Sequence, residues 1–331
     1  MKYTFIFLLT SLLVGQSEDA TLTIYKDGTA LIKQPVGWEI PSGNSYVTWS
    51  SLPNGIHRDT PFLNLEGATI ISQRFNDNIF TGIDYFKKLR VLLEISSGSV
   101  TISNSGGIIS FNRKELEYLG SENKDLDTPT FNPFLSWDLS SDSDKIIKGE
   151  LVYKSNNFSW STVYRLKMLN EEKGELIAEA VISNNSNIDF YGGKLQLVEG
   201  NLNKAGGKPP RPERMNRVAM AVDPNAMPMM GKGELGDYYI YTLNDTHDLE
   251  AKENITIRMY GPLDIGYSKT YVFENFERRQ KEEPLEVRVK MENTETNGLG
   301  ISLPGGKVEM YSFTQSGGLE YIGADNMGQV P

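Results

Sequence analysis

Few residues in this chain are equipped for chemistry. Its 331 residues include two histidines and no cysteine. Thiolate nucleophiles, disulfides and cysteine-ligated metal sites are therefore excluded together. His57 and His247 lie in Ile56-His57-Arg58-Asp59 and Asp245-Thr246-His247-Asp248, both turn-like in composition. Triad members can be distant in sequence, so either ring could serve a serine nucleophile. No GxSxG elbow, HExxH helix or GxxxxGK[ST] loop accompanies them, and both are expected to be solvated turn residues. Asp138, Asp142 and Asp144 form an acidic cluster. Its spacing lacks the glycine and closing glutamate of an EF-hand loop, so calcium would bind there only weakly. Carboxylates for a glycosidase pair are plentiful among 43 acidic residues, but no spacing selects two of them.

A different chemistry is concentrated in residues 201–236. Lys204, Lys208, Arg211, Arg214 and Arg217 stand there against Glu213, followed by Met215, Met220, Met227, Met229 and Met230. So long a stretch between strands is expected to be a flexible insertion. These five cations suit contact with an anionic polymer or a partner protein. Met227, Met229 and Met230 are soft thioethers that would suit Cu(I), although they match no tight ligand spacing. No cofactor is called for. The net charge of −10 opposes a phosphate backbone and argues against a nucleic-acid partner.

The elements that must position these residues are mostly strands. Lys2 and the uncharged run Phe5 to Gly15 read as a secretory signal over residues 1–17, too short for a confident membrane span. No cysteine follows to take a lipid anchor, and no transmembrane span is expected once the signal is removed. Leu22 and Ile24 alternate with Thr21, Thr23 and Tyr25, Asp27-Gly28 marks a tight turn, and a second strand follows. Ser42-Gly43-Asn44 predicts another turn, with Tyr46 to Trp49 returning. Thr81 and Asp84 predict a helix start, and three short strands follow at 91–95, 100–102 and 108–111. That succession suggests a small SH3-like or Sm-like barrel near 79–112. Residues 120–130 are polar and set the expected boundary between an N-terminal β region (18–128) and a β-sandwich domain (129–331). In the latter, Leu176, Ala178, Ala180 and Ile182 share one strand face, Trp160 is a core anchor, and Leu285 to Met291 alternates with one face on a core. The fold class is thus mainly β.

Several of these segments occur in a telling order. A Trp-containing strand (Phe158 to Tyr164) precedes Ala180-Val181-Ile182-Ser183-Asn184 and Lys194 to Gly200 (KLQLVEG). Leu299 to Tyr311 (LGISLPGGKVEMY) and Tyr321 to Asp325 complete the series. The order, over most of residues 130–325, resembles the mucoidy-inhibitor-like bacterial envelope family that carries a C-terminal domain of unknown function. The resemblance implies a periplasmic or outer-envelope location and a link to exopolysaccharide physiology, and it brings no established reaction. Similar proteins continue with further strands, so it also implies truncation at the C-terminus. The expectation is an exported binding or structural module of the cell envelope, partnered by another envelope protein or an anionic polysaccharide. The alternatives are a carboxylate-based hydrolase of envelope glycans and copper handling through the Met-rich stretch.

Overall fold

The computed structural model describes residues 19–77, 92–95, 98–104, 107–112, 133–200, 238–272 and 285–331. Within them the chain is nearly all β, with one 3-10 turn at Glu295–Asn297. It divides into two compact units. The first draws on residues 1–158, 184–197 and 244–253, the second on 159–183, 198–243 and 254–331.

The first unit begins with the hairpin read from the sequence, β1 (Thr21–Tyr25) against β2 (Thr29–Ile40). Gly28 supplies the positive φ of +88° that the turn requires. Asp27 secures that turn by accepting from the Thr29 amide (3.1 Å) and hydroxyl (2.6 Å). Past Ile40 the expectation fails. Gly43 opens β3 (Gly43–Trp49), which pairs not with β2 but with β9 (Phe134–Ser141). The chain has crossed from one sheet to another, and it does so twice more. β10 (Lys145–Asn156) lies between β2 and β4 (Phe62–Glu66), while β9 lies between β3 and β5 (Thr69–Asn76). The strand order β2–β10–β4 in one sheet therefore repeats as β3–β9–β5 in the other. Each short connection (41–42, 67–68 and 142–144) carries the chain between them.

That arrangement explains the composition of β9. Leu135, Trp137 and Leu139 are all buried on one face of β9, Ser136, Asp138 and Ser140 alternate on the other, and Phe134 is buried at its start. The Trp137 ring lies 5.6 Å from Trp38 of β2, and Trp38 Nε1 donates to the Thr48 carbonyl of β3 at 3.3 Å. The boundary expected at 120–130 falls outside the described residues, and strands on its two sides share both of these sheets. β13 (Phe190–Gly200) and β15 (His247–Leu249) extend the first sheet beyond β1. Asn184 ties this corner together. Its Nδ2 donates to the Ile188 (2.9 Å) and Leu249 (3.0 Å) carbonyls, and its Oδ1 accepts from the Ser186 amide at 3.0 Å. β6 (Leu92–Ile95), β7 (Ser99–Asn104) and β8 (Gly107–Asn112) form an antiparallel meander, at the positions read from the sequence. The helix expected before them lies outside the described residues.

In the second unit a five-stranded sheet runs β16–β12–β11–β19–β20. Its members are β11 (Phe158–Met168), β12 (Lys173–Asn184), β16 (Glu253–Gly266), β19 (Gly306–Phe313) and β20 (Leu319–Met327). β14 (Tyr238–Thr242) also belongs to this unit. A separate hairpin joins β17 (Ser268–Val272) to β18 (Glu286–Lys290). The expected face of β12 is buried as read, with Leu176, Ala178, Ala180 and Ile182 all at 2% exposure or less. β18 departs from expectation. Val287 is 48% exposed and Leu285 49%, so its apolar positions do not lie on a core among the described residues.

Candidate functional site

Strand alternation sorts β11 cleanly. Trp160, Thr162, Tyr164, Leu166 and Met168 are buried, leaving Val163, Arg165 and Lys167 on the outer face. β19 lies parallel to β11 with Arg165 in register with Glu309 and Lys167 with Tyr311.

Arg165 organises the outer face. Its Nε donates to Glu179 Oε2 at 2.7 Å, and its Nη1 donates to Glu309 Oε2 at 2.8 Å and to Tyr311 Oη at 3.2 Å. Tyr311 Oη donates in turn to Glu309 Oε2 at 2.8 Å, and Lys307 Nζ reaches Glu309 Oε1 at 2.8 Å. Two carboxylates thus share one guanidinium, a planar donor fork suited to such sharing. The Lys307 ammonium, followed by the Tyr311 hydroxyl, holds the Glu309 carboxyl below the usual range. Beyond Tyr311 the strip continues as an aromatic pair. The Tyr321 ring meets Tyr311 edge-on at 5.8 Å and is 57% exposed.

This geometry makes a pH prediction. A carboxyl whose folded pKa lies below its unfolded value of 4.5 contributes stability that is fully present above that value. The contribution disappears as pH falls through the lower folded pKa. Urea midpoints of the intact chain should therefore decline below about pH 4.5, and Glu309→Gln should flatten part of that decline. An unchanged pH profile in the variant would dissociate Glu309 from the network.

Beneath the strip, the inner side of the sheet explains the LPGG segment. Tyr164 Oη donates to the Pro304 carbonyl at 2.6 Å, and Tyr260 Oη to the Ser302 carbonyl at 3.3 Å. Tyr241 Oη lies 3.2 Å from Ser302 Oγ, and the Gly305 amide donates to Glu199 Oε2 at 2.9 Å. Burial raises all three phenols, Tyr241 to about 12, so they remain protonated donors. Trp160 is 4% exposed, donates Nε1 to the Val198 carbonyl at 3.3 Å and meets Tyr241 edge-on. It is the core anchor expected, and the conspicuous segment 299–305 is held by packing and hydrogen bonds.

The residues singled out from sequence do not assemble. His57 Nε2 lies 2.8 Å from Asn156 Oδ1, and His247, which opens β15 and is not in a turn, has Nε2 2.9 Å from the Asn244 carbonyl. Neither ring is bonded to a carboxylate or a serine hydroxyl among the described residues. The acidic cluster is dispersed. Asp138 belongs to β9 and accepts from Ser72 and Arg74, Asp142 pairs with Lys145, and Asp144 accepts the Ser42 amide. Among the described residues no group of three His, Cys, Asp or Glu side chains could hold a metal ion. Lys204, Lys208, Arg211, Arg214, Arg217, Met227, Met229 and Met230 lie outside the described residues.

One shallow groove in the first unit, about 260 Å³, is lined by Asn64, Glu66, Lys148, Gly149 and Glu150. Lys148 stands across the ladder from Glu66 and Asn64 across from Glu150, so each carboxylate has a polar side chain opposite. No helix among the described residues is long and apolar enough to cross a membrane. The chain matches no family model, no curated protein and no solved structure.

Proposed function

We propose that this chain is an exported module of the bacterial cell envelope that acts by binding, with an acidic polysaccharide as its ligand. The observation that carries the reading is the outer strip of the second unit. Glu179 and Glu309 lie on the outer sheet face, their side chains 18% and 16% exposed, and both are bonded to Arg165. A glycosidase needs one carboxyl kept protonated near neutral pH by its surroundings. Cations and donors around Glu309 do the reverse, which favours binding over hydrolysis on this face. Exposed Tyr321 beside Tyr311 supplies aromatic surface with a few convergent polar groups, the usual composition of a ligand site. The cation-rich stretch Lys204 to Arg217 adds long-range attraction for a polyanion.

The test is thermal unfolding of the chain titrated with an acidic polysaccharide and, separately, with an uncharged one. At a hundred times its dissociation constant the ligand should add about 2.7 kcal/mol. The acidic polymer alone should raise the melting temperature, and Tyr321→Ala should abolish the rise. Equal response to both polymers, or no response to either, would remove the proposal. Release of shortened chains from the polymer would replace it with the hydrolase reading.

A further inference from the structure

Two strands in the second unit each have one edge with no pairing partner among the described residues. β20 ends the five-stranded sheet, and β18 pairs only with β17. Natural edges of this length are normally blunted by lysine, proline or a covering element. β20 reads LEYIGADNM, with neither lysine nor proline, and exposes Leu319 (46%), Tyr321 (57%) and Ile322 (54%). The β17–β18 hairpin has the complementary difficulty. An isolated two-stranded hairpin is marginal in water, and this one leaves Tyr271 at 62%, Leu285 at 49% and Val287 at 48% exposure.

The charges of the two edges are complementary. The register shift between Met310 and Tyr311 leaves Ile322 as the extra residue of β20. As a result Glu320, across from Ser312, and Asp325, across from Val308, fall on one face of β20. Leu319 and Tyr321, across from Phe313 and Tyr311, fall on the other. β18 is divided in the same way, with Arg288 and Lys290 on one face and Val287 and Val289 on the other. An antiparallel pairing that sets Arg288 across from Asp325 puts Lys290 across from Gly323, two ladder steps from Glu320 on the same face. Val289 then meets Ala324 and Val287 meets Asn326 on the other face, and Glu286 falls across from uncharged Met327. Leu319, Tyr321 and Ile322 lie beyond the end of β18. Arg288 is bonded to Glu286 at 2.7 Å, among other contacts, and Lys290 to Glu292 at 3.0 Å, and both pairs are exposed. Pairing β20 with its own copy is a poorer solution. An antiparallel β20 pair centred on Ile322 and Gly323 sets Glu320 against Asp325, like charges facing directly.

We infer that β18 of one copy adds to the β20 edge of a second copy, joining chains head to tail. Such a contact is heterologous, so repetition gives a ring if the rotation closes and a filament if it does not. This goes beyond the ligand of the outer strip and does not depend on it.

The test is sedimentation of the purified chain over a concentration series from low micromolar to near millimolar, at low and high salt. Assembly beyond the monomer should grow with concentration and weaken with salt. Arg288→Glu/Lys290→Glu and Glu320→Lys/Asp325→Lys should each sediment as monomers while keeping the parent circular dichroism. An equimolar mixture of the two double variants should assemble again, because every junction in it is complementary. A parent chain that stays monomeric throughout, or assembly indifferent to either charge reversal, would overturn the inference. Two monomeric variants whose mixture stays monomeric would overturn the β18–β20 pairing.

Discussion

Trp137→Ala is expected to cost about 3–5 kcal/mol, a large share of the stability of a unit this size. Trp137 is fully buried in the central strand of the β3–β9–β5 sheet. Its ring lies 5.6 Å from Trp38, and its Nε1 donates to Gln73 Oε1 at 2.7 Å. Truncation removes the packing of two layers at once and the hydrogen bond to Gln73. That residue is exposed and water can satisfy it, so the cavity left behind carries most of the loss. Trp137→Phe separates the two contributions, since it retains much of the ring volume and loses only the donor. Urea unfolding followed by far-ultraviolet circular dichroism reads both variants without relying on tryptophan emission. The alanine variant should lose about twice as much as the phenylalanine variant or more. A loss for alanine below about 1 kcal/mol would mean that β9 is not the core strand of this unit.

The sequence made individual strands legible because each is written in local alternation. Thr21 to Lys33 gave a hairpin with its turn, and Glu175 to Asn184 gave the buried face of β12, since period-two burial depends only on neighbours in the chain. Partners were not legible. Gly43 looks like the turn of a hairpin, yet β3 goes to β9, some ninety residues further along the chain. Nothing local distinguishes a turn that returns to the same sheet from one that crosses to the facing sheet. The two units are discontinuous in sequence for the same reason, and a polar stretch such as 120–130 says little about which strands share a sheet. The outer strip was missed altogether. Alternation could place Arg165, Glu179 and Glu309 on outward positions, but their separations of 14 and 144 residues conceal that they meet. The one available signal was a charged residue at an otherwise apolar stretch of each of three strands. In the opposite direction, the LPGG segment invited a functional reading. Its carbonyls and amides are taken up by Tyr164, Tyr260 and Glu199, so its residue types are those that the core requires.

That packing account leads to a contrast between adjacent glycines. Gly306 is paired with Thr162 at the start of the parallel β11–β19 ladder. A Cβ there would lie 2.3 Å from the Thr162 carbonyl oxygen and 2.7 Å from the Thr162 Cβ. Both atoms are fixed by a buried strand, so the clash can be relieved only by moving β19 away from β11. Gly306→Ala should therefore cost about 1–3 kcal/mol. At Gly305 the nearest atom to an added Cβ is Glu199 Oε1 at 2.9 Å. That is the end of a side chain, and the nearest backbone atom, Gln329 N, is 3.2 Å away, so Gly305→Ala should cost clearly less. The two variants differ by one methyl group at neighbouring positions, and urea midpoints under one set of conditions compare them directly. The substitutions also bear on the outer strip. Displacing β19 carries Glu309 away from Arg165, but Lys307 and Tyr311 lie on the same strand and stay beside it. Both variants should therefore keep most of the acid-side pH response assigned to Glu309. Equal losses in the two variants would mean that Glu199 is as firmly held as the strand. A pH response lost in Gly306→Ala would mean that Arg165, rather than Lys307 and Tyr311, holds the Glu309 carboxyl down.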